Sequence, residues 1–104
     1  MSYKKDRFEE IIRDHAARFF SAESNRTSMI TVTRVAGTDK GDRVTVYFTV
    51  YPEEREEAAL DFARRKRSDF RSFVRDNSRL SVIPFFEFEI DRGERVRQKI
   101  DAIV

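Results

Sequence analysis

The sequence predicts an α+β sandwich of two layers, with a three-stranded sheet whose apolar face is covered by helices. Three observations predict it. Apolar residues at spacings of three and four open the chain. Two β-branched segments of alternating pattern follow, separated by a Gly-bounded turn. A long helical segment then leads to a third alternating segment and a last short helix. A chain of 104 residues suits one domain, 1–104, and not two.

Residues 4–22 read as the first helix, because Phe8, Ile11, Ile12, Ala16, Phe19 and Phe20 recur along one side. Ser24 to Ser28 is polar and reads as a loop. Met29 to Val35 reads as a strand, and Gly37 to Asp42 as a turn. Arg43 to Tyr51 is the clearest strand. It places Val44, Val46, Phe48 and Val50 on one face and Thr45, Tyr47, Thr49 and Tyr51 on the other. The two strands are spaced to pair as a hairpin.

Pro52 with Glu53 and Glu54 marks a helix start, since Pro suits the first turn and acids suit the positive end of the helix dipole. The stripe Ala59, Ala63, Phe70, Phe73, Val74 then runs toward residue 78, but Lys66 stands where an apolar residue should be. Lys66-Arg67-Ser68 is therefore the expected kink. Leu80 to Ile90 reads as the third strand, with Phe86, Phe88 and Ile90 on one face. Asp91 and Glu94 have the spacing of a capping box, and Val96, Ile100 and Ile103 give the last helix an apolar side. The expected core is Phe8, Ile11, Val32, Val46, Phe48, Phe70, Phe73 and Phe88.

Composition excludes several classes. There is no Cys, so no disulfide framework and no thiolate zinc site. No apolar run approaches a membrane span, and no apolar stretch of a signal peptide follows the Met1-Ser2-Tyr3 start, so a cytoplasmic protein is expected. His15, the only histidine, lies on the apolar side of the first helix and reads as a packing residue rather than a catalytic base. Glu87, Glu89 and Asp91 alternate, and read as charge against edge pairing in preference to a metal site. Gly37 and Gly41 lack the Lys-Ser/Thr of a phosphate loop. No catalytic set and no cofactor or small-molecule site is expected.

Charge is polarised along the chain. Arg64, Arg65, Lys66, Arg67, Arg71, Arg75 and Arg79 are opposed within that segment only by Asp69 and Asp76. The stretch before it, Glu53 to Asp61, is acidic. Arg67, Arg71 and Arg75 lie four apart and form a ridge on one helix face, continued by Arg64. Such a ridge suits either phosphates or a solvated surface paired with the acidic stretch. A helix break beside it frees backbone N–H groups for anions. Tyr47 and Tyr51 read as β-forming positions on a partly covered face in preference to a base-stacking one.

The order and spacing of these segments resemble the ribosome-binding factor A family, over Arg7 to about Val104. Arg7-Phe8-Glu9-Glu10-Ile11-Ile12-Arg13 resembles that family's opening helix. Ile30-Thr31-Val32-Thr33-Arg34-Val35 and Val46-Tyr47-Phe48 resemble its first two strands. Phe70-Arg71 stands before Pro84 at the family's spacing, and Pro84-Phe85-Phe86-Glu87-Phe88-Glu89-Ile90-Asp91 is similar to its Pro-x-Leu-x-Phe-x-x-Asp strand. The chain departs from the pattern at Lys40-Gly41, where the family has Asp-Leu, and at Ser81, where it has Arg. It departs again at Lys66-Arg67-Ser68, where the family has an Ala-x-Gly kink.

The resemblance implies a KH-like (type II) fold of order α-β-β-α-kink-α-β with a C-terminal helix, lacking the Gly-x-x-Gly loop. It also implies a non-catalytic, monomeric factor of the small ribosomal subunit. Such a factor binds ribosomal RNA near the neck and the 5′ end, and assists late maturation. Arg64, Arg65, Lys66, Arg67, Arg71, Arg75 and Arg79 are then the expected RNA-binding residues. Two other readings stay open: a generic KH-like module for single-stranded RNA, and a protein-interaction domain whose basic helix face meets an acidic partner.

Overall fold

The computed structural model describes residues 3–23 and 28–103. Ser24 to Thr27 of the expected loop, Met1-Ser2, Val104 and the side chain of Ile103 lie outside the described residues. Helix α1 spans Tyr3–Glu23, strand β1 Met29–Gly37 and strand β2 Arg43–Tyr51. A 3₁₀ turn at Glu53–Arg55 leads into α2, Glu56–Arg65, and α3, Arg67–Asn77. Strand β3, Phe85–Ile90, and α4, Arg92–Ile103, complete the order. The sheet order is β1-β2-β3, with β1 antiparallel and β3 parallel to β2.

Each element follows from its pattern. Ile12, Ala16 and Phe20 repeat every four residues along α1 and are fully buried. Val44, Val46, Phe48 and Val50 carry the inner face of β2, and Phe86 and Phe88 that of β3; all are buried. The β1–β2 turn closes through Gly41, whose φ of +72° favours a residue without Cβ. Gly37 ends β1 by donating its amide to Glu9 Oε2 at 2.8 Å, tying α1 to the hairpin. Of the expected core, Val46, Phe48, Phe70 and Phe88 are fully buried. Phe8, Ile11, Val32 and Phe73 are partly buried at its margin. The centre is aromatic: the Phe70 ring lies 4.6 Å from Phe86, 5.3 Å from Phe19 and 5.5 Å from Phe20, centroid to centroid. His15 is buried, bridging the Ile11 carbonyl at 2.7 Å and the Asn77 carbonyl at 2.9 Å, and so fastens α1 to the end of α3.

Three expectations are corrected. The third strand begins at Phe85, not Leu80. Phe85 pairs with Arg43, the first residue of β2, and its amide bonds the Asp42 carbonyl at 3.0 Å. Beyond Arg43 the chain turns away, so residues 80–84 have no ladder to join. Leu80 and Ile83 pack against the core instead. The capping box is only half formed. Asp91 Oδ1 accepts the Glu94 amide at 3.0 Å, but the Asp91 amide donates to the Phe48 carbonyl at 2.8 Å, and Glu94 turns to Arg97. The apolar side of α4 is not its packing side, because Val96 and Ile100 are 52% and 54% exposed. Polar contacts hold the helix. Arg95 lies 2.8 Å from Glu56 and 3.6 Å from Glu53, Lys99 lies 2.8 Å from Glu53, and Gln98 reaches Thr49.

A β-bulge between Val32 and Arg34 turns Thr33 toward Asp91, whose Oδ2 accepts the hydroxyl at 2.6 Å. Burial pushes the Asp91 carboxyl up. The Thr33 hydroxyl, the Glu94 amide and the Arg34 and Arg97 charges outweigh that and hold it below the usual carboxylate range. A depressed carboxylate stabilises the fold above its unfolded pKa of about 3.9, and that contribution is lost as pH falls through the folded value. Asp91→Asn should therefore lower the denaturation midpoint at pH 6–7. The gap to wild type should close as pH falls below about 4. Denaturant titrations across pH check this, and a gap that widens in acid contradicts it.

Candidate nucleic-acid interface

The broken helix places the basic residues. Lys66 alone separates α2 from α3, and the kink falls where the apolar stripe fails. The freed backbone expected at this break is not found at Lys66, whose amide bonds the Phe62 and Ala63 carbonyls at 3.0 and 3.1 Å. Its Nζ lies 3.6 Å from Asp69 and 5.8 Å from the Phe62 ring centroid.

The ridge is not uniform. Arg67 is partly buried; its Nε donates to the Phe86 carbonyl at 2.7 Å and its guanidinium lies 4.8 Å from the Phe85 ring centroid. β3 pairs only with β2, so Arg67 satisfies a carbonyl on the unpaired edge of the sheet. One turn on, Arg71 donates to the Ile83 carbonyl at 3.2 Å and steadies the segment before β3 while remaining exposed. Among the described residues the Arg75 side chain meets only the neighbouring Asp76, at 3.2 Å, and both are exposed. Arg64, Arg65 and Arg79 are exposed, and their side chains make no hydrogen bond or ion pair among the described residues.

The acids that would pair with this ridge as a solvated surface are partly committed elsewhere. Glu53 and Glu56, at the start of the acidic stretch, face Arg95 and Lys99 of α4. Lys99 holds the Glu53 carboxyl below its usual range, against the opposing effect of desolvation. Two of the five acids of Glu53 to Asp61 are thus drawn away from the basic side chains of α2 and α3.

The other sheet face is partly closed. Thr49 is buried beside α4, and Tyr47 carries the Arg34 guanidinium 3.7 Å from its ring centroid. Tyr51 is 78% exposed. The alternating carboxylates diverge: Glu87 bonds Arg43 at 2.6 Å, and Asp91 turns in to Thr33 and Glu94. Sequence reasoning did not foresee that Phe85, at the start of β3, carries Arg43 of β2 and Arg67 of α3 over its ring. The available signal was the doubled aromatic Phe85-Phe86, where alternation sends one ring inward and the other out.

A mixed three-stranded sheet, a helix pair broken once before the parallel edge strand, and a basic helix face without a Gly-x-x-Gly loop define a KH-like protein. The sequence model of a family described as ribosome-binding factor A matches residues 4–104, and the chain belongs to that family. Solved structures agree on the fold. The crystal structure of ribosome-binding factor A from Thermus thermophilus superposes with a TM-score of 0.76 at 23% identity, covering 86% of this chain and 97% of that one. A homology model of the Thermus thermophilus factor, fitted into a cryo-EM map of a 30S complex, gives 0.69 at 20% identity, covering 89% and 97%. No curated protein matches the chain. No helix among the described residues is long and apolar enough to cross a membrane.

Proposed function

We propose that the chain binds the small ribosomal subunit in the cytoplasm and assists its late maturation. It acts as one monomeric RNA-binding module, 1–104, without catalysis or cofactor. The observation that carries this reading is the set of exposed arginines on α2 and α3 and just after α3, two of whose neighbouring acids, Glu53 and Glu56, pair with α4 instead. Family membership supports the choice of partner, as does the fitting of the similar Thermus factor into a 30S complex. Arg64, Arg65, Arg71, Arg75 and Arg79 meet phosphates of ribosomal RNA. Lys66 and Arg67 border that surface while holding the kink and the strand edge.

On a sucrose gradient at low salt the protein should travel with free small subunits. It should not travel with large subunits. Raising salt should release it steeply, because each neutralised phosphate gives back condensed counterions. A protein that stays at the top of the gradient overturns the reading. Binding to an acidic protein but to no RNA or subunit would assign the basic face to protein interaction.

A further inference from the structure

His15 is the only histidine of the chain, and its ring is buried where α1 meets α3. Its Nδ1 lies 2.7 Å from the Ile11 carbonyl oxygen, one turn back on α1. Its Nε2 lies 2.9 Å from the carbonyl oxygen of Asn77, the last residue of α3. Both contacts are at hydrogen-bonding distance, and both partners can only accept. A neutral imidazole carries one N–H. It donates to one carbonyl and turns the lone pair of its other nitrogen on the second oxygen. Only the imidazolium donates to both.

We infer that His15 is a proton-operated clasp: with both ring protons it joins α1 to the end of α3, and with one it bonds a single side. This clasp does not depend on what the basic helices bind. The end of α3 needs the donor. Ser78 leaves the helix with φ −137° and ψ 173°, so no further turn supplies an amide to the Asn77 carbonyl. Asn77 turns its own Nδ2 back to the Phe73 carbonyl at 2.8 Å, which leaves its main-chain oxygen to His15. That oxygen stands at the negative end of the α3 dipole, where a cation is favoured.

Burial opposes the charged ring. The neutral ring escapes that cost but sets a lone pair against a carbonyl oxygen at under 3 Å on one side or the other. The charged neighbours on both helices act elsewhere. On α1, Asp14 faces Arg13 at 3.8 Å, and the Arg18 guanidinium lies 5.8 Å from the centroid of the Phe73 ring that meets His15 edge-on. On α3, Asp76 pairs with Arg75 at 3.2 Å. Arg79, just beyond α3, is exposed. The second proton is therefore held by the two carbonyls and the helix end, and by no carboxylate among the described residues.

With one histidine in the chain, the imidazole resonances of uniformly ¹⁵N-labelled protein belong to His15 alone. A protonated ring gives two similar nitrogen shifts, and a neutral ring gives two widely separated ones. The folded protein should keep the protonated pattern at a pH where the urea-unfolded chain has lost it. His15→Gln supplies a polar side chain that does not titrate. The clasp's proton-linked stability is present in full below the unfolded histidine value of about 6.5 and fades as pH rises above it. The unfolding constant of His15→Gln relative to wild type should therefore be about 3- to 30-fold larger near pH 5.5 than near pH 8.5, the range for a cation at a helix C-terminus.

A folded ring that loses its second proton at the same pH as the unfolded chain, or at a lower one, overturns the clasp. So does a ratio of unfolding constants that stays level or shrinks in acid. If His15→Gln fails to fold, the ring resonances of the wild-type protein decide alone.

Discussion

Phe70→Ala should lower stability by about 3–5 kcal/mol, the range for truncating a buried phenylalanine. Phe70 is fully buried, and Phe86, Phe19, Phe20 and Phe88 surround it at 4.6, 5.3, 5.5 and 6.2 Å between ring centroids. Its neighbours come from α1 and β3, so their backbones cannot all close on the space left behind. Aromatic pairs of this kind contribute roughly 0.5–1.5 kcal/mol each beyond burial, which places the loss toward the upper end. Against a total of about 5–15 kcal/mol for a domain, that leaves little reserve. The melting midpoint should fall by roughly 12–40 °C, given about 4–8 °C per kcal/mol at this size. Phe73, half-buried at the margin, gives a control whose truncation should cost distinctly less. Denaturant melts of the two variants check the order. A loss below about 1 kcal/mol for Phe70→Ala would show that the core does not close around this ring.

The same stripe explains what the sequence made legible. Ala59, Ala63, Phe70 and Val74 are all buried, and the missing apolar residue at Lys66 marks the single residue between the two helices. Period-two alternation placed the inner face of β2, since every second residue must meet the same layer. Patterns within one segment carry no information about which segment lies opposite. The start of β3 depends on where β2 begins, so Leu80 to Pro84 looked like strand until Arg43 was seen to end the ladder. The docking of α4 depends on Glu53 and Glu56 being presented to it. Its visible stripe, Val96 and Ile100, therefore misled about the side that packs. Arg67 looked like one member of a uniform ridge. Its second role follows from the unpaired edge of β3, which exists only once the strand order is set.

That split within the ridge decides how the interface is tested. Reversing Arg67 puts a carboxylate against the Phe86 carbonyl and removes a charge-assisted hydrogen bond. Such bonds contribute roughly 1.5–3 kcal/mol, so Arg67→Glu would lose binding through loss of fold as readily as through loss of phosphate. Arg64 and Arg75 avoid this. Both are exposed, and Arg75 meets only the exposed Asp76, a surface pair worth about 0–1 kcal/mol. The double variant Arg64→Glu/Arg75→Glu should melt cooperatively within a few degrees of wild type. It should nevertheless lose association with small subunits at moderate salt, because each reversal removes an attraction and adds a repulsion. Neutralising about five phosphates gives a log–log salt slope near −3.5 to −4.5, and losing two of those contacts should reduce it by about two-fifths. Gradient co-sedimentation at several salt concentrations, with circular-dichroism melts of the same preparations, measures both quantities. A folded double variant that keeps wild-type association and wild-type slope removes Arg64 and Arg75 from the interface. A slope reduced by about two-fifths with an unchanged melt places the phosphates along α2 and α3, on either side of the break at Lys66.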